Sequence, residues 1–149
     1  MQFKFKLESL LSHRQYIEDV LGKEFAVLEK RLAQEKQVEK HLQEKHTQLT
    51  EELKKHLQKP KPVSENRLYV TYIAYLSEQI GRQRHRVQMV EAEKREKKIA
   101  LLKAVKKKKI LERLKQTHAD QYQRFNLKKE TEESFAEAKE AAEKAKMEL

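Results

Sequence analysis

His56-Leu57-Gln58-Lys59-Pro60-Lys61-Pro62-Val63-Ser64-Glu65 divides the chain in two. Proline lacks an amide proton and pushes the residue before it out of helical geometry, so a helix arriving here stops at about Lys59. Ser64 is a good N-cap, and Glu65 suits the positive end of a second helix. The patterns on either side decide whether helices flank this break.

On the N-terminal side, steps of seven from Leu7 give Leu7, Arg14, Leu21, Leu28, Glu35, Leu42, Leu49 and His56. Leu10, Ile17 and Val38 fall three places on, and Leu11, Phe25, Leu32 and Leu53 four places on. That is a heptad seam with charged gaps at Arg14 and Glu35. Gly22 inside it costs about 1 kcal/mol relative to Ala. On the C-terminal side a second seam runs Ile73, Leu76, Ile80, Gln83, Val87 and Val90. It continues through Lys94 and Lys97 to Leu101, Ala104, Leu111, His118, Tyr122 and Phe125, with no proline and Gly81 as its one glycine.

Each seam is one apolar stripe that cannot be buried alone, and a short proline-bearing turn makes the two helices antiparallel neighbours. The predicted fold is therefore all-α: one antiparallel coiled-coil hairpin over residues 1–149, with a helix over about 3–58, a turn over about 59–64 and a helix over about 65–146. A turn at Lys61 pairs residues whose numbers sum to about 122, and apolar then meets apolar at Leu49 with Ile73, Leu42 with Ile80, Leu21 with Leu101 and Leu11 with Leu111. The same register leaves the Ala/Glu/Lys-rich end, Phe135 to Leu149, as an overhanging helix.

Composition agrees with long helices. Of 149 residues, 38% are hydrophobic and 39% charged, with two Gly and two Pro. With no Cys there is no disulfide framework and no thiolate metal site. Met1 to Leu11 is too broken by Lys and Glu for a signal-peptide core. No stretch approaches the roughly 18 apolar residues of a membrane span, so a cytoplasmic protein is expected. The net charge of +10 sits in one place: residues 82–115 hold 14 basic and 4 acidic side chains, and the remainder holds 20 of each.

The pattern argues against catalysis and cofactors. There is no glycine-rich phosphate loop and no His-Glu-x-x-His, and none of the six histidines pairs with another at i,i+3 or i,i+4. A two-helix hairpin also offers no concave pocket in which carboxylates could be desolvated. Two surfaces remain as candidates for binding. The first is the basic tract, with Arg82, Arg84, Arg86, Lys103, Lys106, Lys107, Lys108 and Lys109. It reads either as a solvated surface partly neutralised by Glu18, Asp19, Glu24, Glu29 and Glu39 across the hairpin, or as a docking face for an acidic protein. Nucleic acid is not an expected partner, since the tract lacks interleaved aromatics and a DNA-binding fold.

The second is Leu68-Tyr-Val-Thr-Tyr-Ile-Ala-Tyr-Leu76. Tyr69, Tyr72 and Tyr75 accompany Leu68, Val70, Ile73 and Leu76, more apolar surface than one partner helix can cover. Tyr72 and Leu76 at i,i+4 form a ridge with Tyr69 beneath it, and such aromatic anchors are typical interface hot spots. A locally thickened hairpin tip is the alternative.

Three features together resemble the flagellar FliJ family: the opening Phe3-x-Phe5-x-Leu7-Glu8-x-Leu10-Leu11-x-x-Arg14-x-x-x-Glu18-Asp19, the segment Tyr72-Ile73-x-x-Leu76-x-x-x-Ile80, and the basic second helix. The likeness covers essentially the whole chain. It implies a non-enzymatic, peripheral cytoplasmic component of flagellar type III export at the inner face of the cell membrane. In that family the hairpin is similar to the central stalk of rotary ATPases, sits in the pore of the export ATPase hexamer, and contacts the export-gate membrane protein and export chaperones. The family's gate contact uses an aromatic, a Leu, a small residue and a His along one face. Tyr72 and Leu76 match the first two, while Gln79 and Gln83 stand at the other two places. A generic structural coiled coil, or a rotor-stalk subunit of a vacuolar-type ATPase, is the alternative from another class, and only the basic tract argues for a helical nucleic-acid binder.

Overall fold

The structure is a computed structural model that describes residues 2–60 and 62–148. Two long helices account for nearly all of it: α1 Glu8–Leu57 and α2 Val63–Met147. The described residues contain no strand, no cis peptide bond and no residue with positive φ.

The helix ends differ from expectation by a few residues. α1 begins at Glu8 rather than near residue 3, with the Glu8 amide donating to the Phe5 carbonyl at 3.2 Å. Leu7, which opens the sequence seam, therefore precedes the helix, while Phe5 ahead of it is buried. α1 ends where the Lys59 amide turns back to the His56 carbonyl at 3.2 Å. Lys61, the expected centre of the turn, lies outside the described residues. The carbonyl of Pro62 accepts from the Glu65 amide at 3.2 Å, so Pro62 stands at the cap position and Ser64 is inside the first turn of α2. Pro62 has no amide proton to leave unpaired ahead of the helix, so it is tolerated there, while Pro60 follows the end of α1.

The chain forms two compact units, Asp19–Leu102 and a second made of Met1–Glu18 with Lys103–Leu149. Within Asp19–Leu102, α2 buries Leu76, Ile80, Gln83, Val87 and Val90, steps of four and three that keep one stripe turned inward. Leu32 of α1 joins Val87 and Val90 in the apolar cluster. On α1 a column of half-buried or buried residues is spaced likewise: Phe25, Leu28, Leu32, Glu35, Glu39, Leu42, His46, Leu49, Leu53 and His56, with Val20, Leu21, Gly22, Thr50 and Glu52 half-buried beside it. Val38 is exposed, so the inward column on α1 lies four places on from the Leu21–Leu28 series, not three. Cross-helix contacts descend along α2 as they ascend along α1. Glu24 meets Lys97 at 2.5 Å, Glu39 meets Arg84 at 3.2 Å, His46 meets Ser77 at 3.0 Å and His56 meets Tyr69 at 2.9 Å.

The polar interruptions of the two stripes answer one another. Gln83 is buried, and its amide donates to the Glu35 carbonyl at 2.9 Å and also to the Glu35 carboxylate. A buried amide left without such partners would cost about 1–3 kcal/mol, so this layer is tolerated only because both members are present.

In the other unit the buried residues are Phe5, Ala104 and Leu111. The Phe5 ring sits edge-on to His118 at 5.8 Å, and Phe3 lies 5.7 Å from Tyr122. Glu8 pairs with Lys115 at 2.9 Å and Glu18 with Lys108 at 2.6 Å. Leu10, placed by sequence in the three-step column, is exposed, and Leu11 is half-buried. From Leu127 to Glu148 every residue is exposed.

Candidate functional site

The start of α2 carries more apolar side chains than the inward stripe can take. Leu76 goes fully into that stripe, at 2% exposure. Tyr69 is half-buried, with its ring 4.8 Å from that of His56 and its hydroxyl bonded to His56 Nε2. Tyr72 and Tyr75 remain outside at 40% and 53% exposure, and Leu68 and Val70 are exposed as well. The two outer tyrosines stack with centroids 6.1 Å apart and planes 21° from parallel, and Lys45 Nζ lies 5.7 Å from the Tyr72 centroid.

The ridge predicted from sequence is thereby split. Of Tyr69, Tyr72 and Leu76, Tyr72 alone presents much of its side chain. Leu76 is a packing residue because α1 covers its side of α2, and a partner could reach it only by displacing α1. Sequence reasoning missed Tyr75 and Leu68 as the neighbours of Tyr72 on the outer surface. The signal was available: Leu68, Tyr72 and Tyr75 follow steps of four and three, offset from the inward Tyr69, Ile73 and Leu76. Gln79 is half-buried, and Gln83 is consumed by Glu35.

The basic tract is also less uniform than its sequence. In Asp19–Leu102, Arg82 pairs with Glu78 at 2.7 Å and Arg84 with Glu39, while Arg86 is exposed. In the other unit, Lys103, Lys106, Lys107 and Lys109 are exposed. Lys108 is different: its side chain is 16% exposed, held by Glu18 and 3.8 Å from Glu112. Lys108 belongs to the pairing of α1 with α2 and is withdrawn from the docking surface, because its position continues the inward stripe Ala104, Lys108, Leu111. The expected neutralisation across the helices is thus seen for Glu18, Glu24 and Glu39.

Chemically, these surfaces can bind. The tyrosine patch combines large rigid apolar faces with hydroxyls and a nearby cation, and the lysines add a screened positive field. Among the described residues no group of three or more His, Cys, Asp or Glu is placed to hold a metal ion. An open groove on the surface is lined by Leu28, Glu93, Glu96, Lys97 and Ala100. No helix among the described residues is long and apolar enough to cross a membrane.

The family model described as "Flagellar FliJ protein" matches residues 3–134. No curated protein and no solved structure matches the chain.

Proposed function

Because the chain belongs to the flagellar FliJ family, we propose that it is a non-enzymatic component of flagellar protein export, working as an antiparallel coiled-coil hairpin with an overhanging C-terminal helix. The observation that carries this reading is the extent of the match, residues 3–134, which takes in both stripes and the tyrosine patch. The descending cross-helix contacts and the three-and-four spacing of the inward residues support the hairpin. The exposed run after Leu127 supports the overhang.

In this role the hairpin is a stalk that binds the export ATPase hexamer and activates it, links the ring to the cytoplasmic region of the export-gate membrane protein, and escorts export chaperones. It works at the inner face of the cell membrane without entering it. The gate contact is carried by Tyr72 together with Tyr75 and Leu68, while Leu76 and Tyr69 hold the helix that presents them. Lys103, Lys106, Lys107 and Lys109 form a docking surface for an acidic partner.

Co-purification of the tagged chain with the export ATPase and, separately, with the gate's cytoplasmic region tests the reading. Both are expected to bind, and Tyr72→Ala/Tyr75→Ala is expected to lose the gate while keeping the ATPase. Absence of both partners from the wild-type eluate would defeat it.

A further inference from the structure

In the unit that holds the end of α2, the N-terminal segment up to Glu18 covers one side of that helix. Ala104 and Leu111 are buried on this side, and Lys108 and Lys115 are taken there by Glu18 and Glu8. At about 100° per residue the opposite side is traced by steps of three and four starting from Lys103. Its basic members are Lys103, Lys106, Arg113, Arg124 and Lys128, followed by Lys139 and Lys146. All seven are exposed, and none makes an ion pair among the described residues. Between them the stripe carries uncharged side chains, with Ile110 at 65% exposure and Phe135 at 72% as the large apolar ones.

No acidic residue falls on this stripe, which is roughly 80° wide. The acids of the uncovered end keep clear of it: Glu130, Glu133, Glu137 and Glu140 continue the covered side, and Glu132 and Glu143 lie on the flank. One face of the helix is thus basic with two apolar anchors over residues 103–146, and the acids are turned the other way.

The length of the stripe selects its occupant. At 1.5 Å per residue it runs about 65 Å, whereas an interface of standard size gives each protein partner a patch roughly 30 Å across. A single globular partner would leave half of the cations unanswered. A planar anionic surface meets every member of a stripe parallel to the helix axis and needs no register. Cations and large apolar side chains on one face, with acids on the other, is also the pattern of a helix that lies on a bilayer. No helix among the described residues can cross one, so the contact is with the surface alone.

We propose that the 103–146 face of α2 lies along an anionic phospholipid surface, its cations against the phosphates and Ile110 and Phe135 at the headgroup layer. The proposal rests on the reading of Lys103 and Lys106 as docking residues for an acidic partner, names the bilayer as that partner, and is independent of the export role. Screening over about 10 Å, close to the diameter of the helix, makes cations on its far side count for less and makes binding weaken as salt rises.

Co-sedimentation of the full chain with vesicles tests this. The chain should bind vesicles of equal parts phosphatidylglycerol and phosphatidylcholine, lose them at high salt, and ignore vesicles of phosphatidylcholine alone. Lys106→Gln/Arg113→Gln/Arg124→Gln should weaken binding about a hundredfold, each base near an anionic surface contributing about fivefold. Lys109→Gln/Lys129→Gln/Lys144→Gln removes the same charge away from the stripe and should cost less than about tenfold. The chain has no Trp, so Phe135→Trp supplies a reporter whose emission should shift to the blue on the anionic vesicles. Circular dichroism confirms that each variant remains helical. No sedimentation with anionic vesicles at low salt, equal losses in the two triple variants, or an unshifted Phe135→Trp emission would each overturn the proposal. Titration with polyglutamate then separates it from the reading it rests on. Polyglutamate bound by a chain that ignores anionic vesicles, and lost in Lys103→Gln/Lys106→Gln, makes the acidic partner a protein, and binding to neither removes the docking surface as well.

Discussion

Leu76→Ala and Tyr72→Ala should separate cleanly, although the two residues are one helical turn apart. Leu76 is 2% exposed, and truncating a buried Leu costs 2–5 kcal/mol depending on how far the site collapses. Only one partner helix covers Leu76, and neighbouring side chains such as Ile73 and Ile80 can shift into the gap, which places the cost at about 2–3 kcal/mol. For a chain of this size that lowers Tm by about 5–10 °C. Tyr72 is 40% exposed, and its substitution removes the stack on Tyr75 and the approach of Lys45. Those surface contacts are worth less than about 1 kcal/mol to the fold, and alanine is the better helix former. Truncating an interface aromatic of this kind commonly costs about 2 kcal/mol of binding, or roughly thirtyfold in affinity. Melting followed by circular dichroism, with calorimetric titration against the gate's cytoplasmic region, reads both quantities. Leu76→Ala melting like wild type while binding as weakly as Tyr72→Ala would refute the reasoning, because Leu76 would then face the partner.

Gly22→Ala and Gly81→Ala should each raise stability by about 1 kcal/mol in denaturant titration, since both glycines are helical without positive φ and an added Cβ meets nothing within 4 Å. Lys108→Ala should cost about 1–2 kcal/mol by leaving the partly buried Glu18 without its cation, whereas alanine at Lys106, Lys107 or Lys109 should change stability by less than about 0.5 kcal/mol. Spin labels at positions 43 and 77 should read less than about 20 Å, as side-by-side helices require, while a continuous helix through both would separate them by about 50 Å.

The heptad spacing made the all-helical fold legible because burial of one stripe per helix leaves few alternatives. Two kinds of detail were not legible. Helix ends depended on local competition, as where Pro62 took the cap position from Ser64 and where Phe5 packed before any helix had begun. The side of each helix depended on columns only one residue apart in sequence. Val38 and Val27 look as apolar as Leu32, yet only Leu32 turns inward. The same ambiguity put Leu76 into a binding ridge, although its seven-residue companions Gln83 and Val90 are core. The polar core residues were the least expected part. Glu35 read as a charged gap in one seam and Gln83 as a polar member of the other, and their meaning appears only when the helices are placed together and each satisfies the other.

The most direct test of the central claim is the rate of ATP hydrolysis by the purified export ATPase with and without this chain. The account predicts that the chain alone hydrolyses nothing, that adding it raises the ATPase rate, and that Tyr72→Ala/Tyr75→Ala raises it equally. An unchanged rate with folded wild-type chain and active ATPase would contradict the claim that this protein serves as the stalk of the export ring.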